Sequence, residues 1–224
     1  MKPITAGLVA AGTACALFAT PTLSHNYMEM LRGPAGYMAD IEVRVAHGCG
    51  ESPVNQVRVK IPEGMFRVRA FENRDWDIEV KMRPVDPPVP GYVGQPITET
   101  VDEIIWSNPK SALPITMHEG FKFRGRLPDE PGRILFFRTL NYCEEGDDLY
   151  VDLPEENINI NDEDFAEKFD AFMRATATPS PYMILYKPSL PQYPWEWTSQ
   201  DIRDAAISDV SMDVDTTIVI DAAE

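Results

Sequence analysis

Residues 39–46 alternate apolar and charged side chains, Ile41, Val43 and Val45 interleaved with Asp40, Glu42 and Arg44. A period of two sends successive side chains to opposite faces, so this segment fits a strand with one buried face and does not fit a helix. Residues 54–61 repeat the pattern, with Val57, Val59 and Ile61 set against Arg58 and Lys60. Further strands are predicted at 66–71, 76–82, 103–107, 120–127, 133–141 and 149–153. Turn signals separate them: Pro62-Glu63-Gly64, the proline-rich 84–96, Asn108-Pro109, 128–132 and 144–146. Many short strands broken at this spacing specify an all-β chain folded as an antiparallel β-sandwich.

The character changes after Pro154. Residues 162–176 place Phe165, Phe169 and Phe172 on one helical stripe, with Asn161 or Asp162 able to cap the start. Residues 177–194 are proline-rich and interrupted by a strand-like stretch at 182–186; the last two dozen are acidic, with one alternating stretch at 217–220. The expected organisation is a signal peptide at 1–24, a β-sandwich domain at 25–154, and a C-terminal helix with a mobile proline-rich, acidic tail at 155–224.

The first 24 residues read as an export signal. Lys2 supplies the positive start, residues 6–19 an uncharged apolar stretch, and Pro21 ends it. Thr22-Leu23-Ser24 then sets small residues at −3 and −1 of a cut before His25. No later apolar run approaches the roughly 20 residues of a membrane span. The formal net charge of −16 argues against nucleic acid or an anionic membrane surface as partner and favours cations, although acidity also serves solubility.

Cys15 leaves with the signal, so the mature chain keeps Cys49 and Cys143. Two cysteines in an exported chain make a disulfide the default. A thiolate metal site is the competing reading, opposed by the oxidising compartment and by the lack of any CxxC pair. A lipid anchor on Cys15 is a further alternative; the preceding Gly12-Thr13-Ala14 lacks the aliphatic residue such a signal uses.

A cut before His25 puts a free α-amine and an imidazole on one residue. Copper(II) favours nitrogen and oxygen donors in a tetragonal arrangement, and such a residue gives it two nitrogens in one chelate once the amine has lost its proton. One carboxylate would complete the set and offset the ion's charge. The alternative is an ordinary surface histidine.

Longer motifs accompany this start. They are His47-Gly48-Cys49, Ser52-Pro53, Val57-Arg58-Val59-Lys60-Ile61-Pro62-Glu63-Gly64, Trp76, Glu103-Ile104-Ile105-Trp106-Ser107, Leu113-Pro114, Phe121-Lys122-Phe123-Arg124-Gly125 and Asn141-Tyr142-Cys143-Glu144-Glu145-Gly146. In this order and spacing the chain resembles the YcnI-like copper-binding family, specifically its proteobacterial HGC-containing branch, over residues 25 to about 154.

The resemblance implies a mono-histidine brace: the amine and ring of the N-terminal histidine, an acidic side chain and a nearby tryptophan. His25 takes the first role and Glu119 is the best match for the acidic ligand. The tryptophan position holds Tyr150, a departure; either the tyrosine flanks the ion, or Trp195 or Trp197 fills in, or the site is weakened. His47 marks the branch and fits packing beside the disulfide better than ligation. His118 adjoins Glu119, and neighbours in a strand face opposite ways, so at most one of them faces an ion. Met28 and Met30 could serve Cu(I) but fit core or edge packing better; Trp76 and Trp106 read as core.

The expectation is therefore a periplasmic copper-binding protein, a chaperone or buffer holding Cu(II) without catalytic turnover and exchanging it with other periplasmic copper-handling proteins. One rival is a copper-dependent oxidative enzyme with a histidine brace, disfavoured by the chain having only three histidines. The other is a metal-free envelope interaction module that docks through its proline-rich tail.

Overall fold

The computed structural model describes residues 25–91, 94–193 and 196–204. The predicted signal at residues 1–24, Trp195 and the alternating stretch at 217–220 lie outside the described residues. Among the described residues the elements are β1 Tyr27–Met28, β2 Arg32–Pro34, β3 Met38–Val45, β4 Val54–Lys60, β5 Phe66–Ala70, β6 Asp77–Pro90, β7 Pro96–Ser107, β8 Glu119–Arg126, β9 Ile134–Phe136, β10 Thr139–Cys143, β11 Asp147–Tyr150, α1 Phe165–Ala175 and β12 Tyr182–Tyr186.

Two antiparallel sheets form the sandwich, one ordered β1-β3-β8-β5 and the other β11-β10-β4-β7-β6. The alternating segments are its middle. Ile41, Val43 and Val45 of β3, with Phe121 and Phe123 of β8, turn inward from the first sheet. Val57 and Val59 of β4, with Ile104 and Trp106 of β7, meet them from the second. Trp106 and Trp76 both pack on Phe121, at 5.3 and 5.0 Å between ring centroids, and both are core residues. Full burial of such aromatic side chains supplies much of the driving force that closes the two faces.

Only residues 91–95 of the proline-rich stretch 84–96 connect strands; residues 84–90 belong to one. β6 runs from Asp77 to Pro90 and pairs with β7 in a long hairpin whose register slips between Pro84 and Val89. The strand tolerates its prolines because it is the sheet edge, where an absent N–H leaves no ladder partner unpaired, and because the bulge absorbs Asp86 to Pro88. The predicted strand at 133–141 is two strands. β9 pairs with β12, while β10 pairs with β4, and the chain changes sheet at Phe137 and Arg138. There the Phe137 amide donates to the Pro181 carbonyl and the Arg138 carbonyl accepts from Lys60.

A third sheet, β2-β12-β9, includes one parallel pair, β2 with β12. Residues 182–186 are thus its central strand, with Met183 and Leu185 buried in the main core. Helix α1 packs through its phenylalanine stripe: Phe172 meets Phe136 at 5.5 Å and Phe169 meets Tyr182 at 5.4 Å. No helix among the described residues is long and apolar enough to cross a membrane.

Candidate metal site

His25 stands at the edge of the sandwich where β1 of one sheet comes against β11 of the other. Its neighbour Asn26 is buried and exchanges amide hydrogen bonds with Asn141 of β10, Asn26 Nδ2 to Asn141 Oδ1 at 2.9 Å and Asn141 Nδ2 to Asn26 Oδ1 at 3.1 Å. This pair spans the two sheets and fixes where the chain enters the fold. The His25 ring then lies edge-on to Tyr150, with centroids 5.7 Å apart and planes at 62°. Its Nε2 is 3.0 Å from the Ala177 carbonyl.

Tyr150 ends β11 and pairs with Thr139, a fully buried position, so its ring turns inward and is only 5% exposed. Burial, reinforced by the negative charge of Asp148, pushes its phenol up to about 12. The hydroxyl therefore stays protonated at neutral pH. Trp197, in the tail, donates its indole N–H to the Pro191 carbonyl at 2.8 Å.

Glu119 opens β8 opposite Val45 and, by that pairing, belongs to the inward face. The start of β1 is level with it: Tyr27 pairs with Arg44, which places Asn26 beside Val45. β3 lies between them, so Glu119 is two strand spacings from Asn26, about 10 Å between backbones. The Glu119 carboxylate accepts from the Gly120 N–H at 3.2 Å. Tyr150 and Glu119 lie on different sheets.

A second carboxylate escapes a motif-based reading. Asp148 lies two residues before Tyr150 on the same face of β11, opposite Asn141. Burial holds its carboxyl above the usual range, and His47, with Nδ1 4.0 Å away, pulls it back down. The signal was the strand alternation itself, which puts residues 148 and 150 on one face. His118 is exposed, just before β8. Met28 is core at 2% exposure, whereas Met30 is half exposed.

His47-Gly48-Cys49 forms the other end of this edge. Cys49 and Cys143 are disulfide-bonded with Cα atoms 6.0 Å apart. Cys49 and Ser52 exchange backbone hydrogen bonds of 3.0 and 3.1 Å, and a Cβ on Gly48 would run into the Ser52 carbonyl. Glycine is required there by space.

Among the described residues, no group of three or more His, Cys, Asp and Glu side chains is arranged to hold a metal ion. Copper at His25 would depend on a donor that a polypeptide has only at its start, the α-amine. The His25 imidazole, seated against the Tyr150 ring, would supply one nitrogen and the amine of the same residue a second. A cleft of about 650 Å³ between α1 and residues 152–158 is lined by Asp152, Glu155, Glu156 and Lys168 among apolar side chains. It has no imidazole, which makes it a poor copper site.

A family model described as a domain of unknown function (DUF1775) matches residues 25–166. Among solved structures, a protein from Nocardia farcinica with an immunoglobulin-like fold is similar, with a TM-score of 0.51 at 14% identity over 73% of this chain and 99% of that one. A protein from Corynebacterium diphtheriae described as membrane anchored aligns with a TM-score of 0.36 at 10% identity, over 78% of this chain and 38% of that one. No curated protein matches. The first likeness shows the fold, a β-sandwich, and the family match covers more than half of the sequence: the chain belongs to the DUF1775 family, the YcnI-like domain family.

Proposed function

We propose that this is an exported copper-binding protein, a periplasmic chaperone or buffer without catalytic turnover, whose site is completed by cleavage before His25. The observation that supports it most is the seating of the His25 ring against Tyr150 and the Ala177 carbonyl. A carbonyl oxygen only accepts, so the neutral ring carries its proton on Nε2 and has its lone pair on Nδ1. Nδ1 is the ring nitrogen within reach of the α-amine of the same residue, and the two close a small chelate. Glu119 is the proposed oxygen donor and Tyr150 the aromatic cover. The start of the family match at His25 agrees with a domain that begins there.

The test is a comparison of two exported proteins, the native one and one with a single alanine inserted before His25. Intact mass should give His25 as the first residue, and the native protein should bind one Cu(II) with a tetragonal spectrum. The insertion separates the amine from its own imidazole and should lower affinity by orders of magnitude. Equal affinity would overturn the reading. Oxidation of ascorbate and polysaccharide by the copper-loaded protein would favour an enzyme instead.

A further inference from the structure

We propose that Asp152 is a positioning residue of this site, one that holds the Ala177 carbonyl on His25 Nε2 and so dictates which ring nitrogen faces the metal. The inference rests on the reading of His25 as the copper ligand, but its geometry stands apart from that reading.

Ala177 lies between Thr176 and Thr178, and both threonine hydroxyls donate to Asp152 Oδ2, that of Thr178 at 2.9 Å. Backbone bonds lock the same contact: the Asp152 N–H donates to the Thr178 carbonyl at 3.3 Å and the Ser180 N–H to the Asp152 carbonyl at 3.1 Å. Hydroxyl-to-carboxylate bonds are the stronger, charge-assisted kind, and two on one oxygen leave the intervening carbonyl little freedom. Asp152 is two residues beyond Tyr150, whose carbonyl accepts from Ser180 Oγ at 3.1 Å. The aromatic cover and the carbonyl that grips the ring therefore belong to one hydrogen-bonded unit.

Residues 176–180 lie past the matched family domain, which ends at 166. Helix α1 delivers them: the Thr176 N–H caps its end by donating to the Phe172 carbonyl at 3.2 Å, and Phe172 is packed on Phe136. The C-terminal extension thus contributes an outer partner to a site whose ligand is at the other end of the chain. An N–H of a metal-bound histidine held by a carbonyl fixes the tautomer and raises the basicity of the ligating nitrogen, and removing such a partner lowers metal affinity about 10–100-fold.

The experiment uses the mature chain beginning at His25 and two double variants, Thr176→Val/Thr178→Val and Thr176→Ser/Thr178→Ser. Long-range proton–nitrogen NMR reads the His25 tautomer in metal-free protein at a pH where the ring is neutral, and a Cu(II) titration follows. Native protein and the serine variant should show the Nε2–H tautomer; the valine variant should populate both tautomers and bind Cu(II) about 10–100-fold more weakly. A native ring protonated mainly on Nδ1, or a valine variant unchanged in both readouts, overturns the proposal. If the double valine variant fails to fold, the native tautomer and the single change Thr178→Val decide the question. A tautomer change in protein that never binds copper would sink the functional reading and uphold the positioning role.

Discussion

Asn26 and Asn141 donate to one another across the two sheets, each amide serving as both donor and acceptor at 2.9 and 3.1 Å, in a buried setting. A reciprocal amide pair satisfies a donor and an acceptor on each side, and here it is the joint that brings His25 to the β11 edge.

Removing one member leaves the other's amide buried and unpaired. Asn141→Ala should therefore destabilise the protein by about 1–3 kcal/mol, read from urea unfolding, whereas Asn26→Leu/Asn141→Leu should recover part of that loss. If the pair also positions His25, the single variant should weaken copper binding and the double variant should not restore it. Unchanged stability in Asn141→Ala would show that the pair is not formed in solution.

The Cys49–Cys143 bond closes a long loop, with 94 positions separating its ends. Cys49→Ser/Cys143→Ser should lower stability by up to about 4–5 kcal/mol in the chain-entropy account. Copper affinity should not change, because neither sulfur belongs to the proposed ligand set. A large loss of affinity in folded double variant would reassign the site to thiolate chemistry.

Glu119 and Asp148 make opposite predictions about the oxygen donor. Glu119→Gln removes the compensating charge and should weaken Cu(II) binding by about 1–3 kcal/mol. Asp148→Asn keeps the shape of a group that burial already pushes toward its neutral form, and should change affinity less. The reverse order in calorimetric titrations would transfer the ligand role to Asp148.

Tyr150 is expected to act through its ring. Tyr150→Phe should leave copper affinity nearly unchanged, while Tyr150→Ala opens a cavity at a buried position and should cost about 3–5 kcal/mol of stability. Its raised phenol has a pH signature. The folded state holds the proton more tightly than the unfolded chain, so the associated stability is complete below the ordinary value near 10 and is lost as pH rises through about 12. Ultraviolet titration of native protein against Tyr150→Phe should show this one tyrosine ionising late; ionisation near 10 would contradict its burial.

The sequence by itself determined which residues face the core. Val43, Val45, Val57 and Val59 alternate with charged neighbours, and a period of two leaves a strand with one buried face no other orientation. The family was legible for the same reason, since its motifs are stretches of contiguous chain. His25 and the two cysteines could be singled out because a run of small residues after an apolar stretch and a cysteine count are local or compositional features.

What surrounds His25 was decided only by the tertiary structure. The Ala177 carbonyl has no side-chain signature, and it reaches the ring only because Asp152 bonds Thr176 and Thr178 and β12 inserts between β2 and β9. The prolines of 84–90 read as a break because propensity ignores position in a sheet, and only the edge location of β6 makes a strand there tolerable. Tyr150 stands against His25 because β11 and β1 are the edges of two different sheets, a relation set by strand order and long-range packing. Alternation fixes faces along a strand, but no local period encodes which strands become edges and which edges meet.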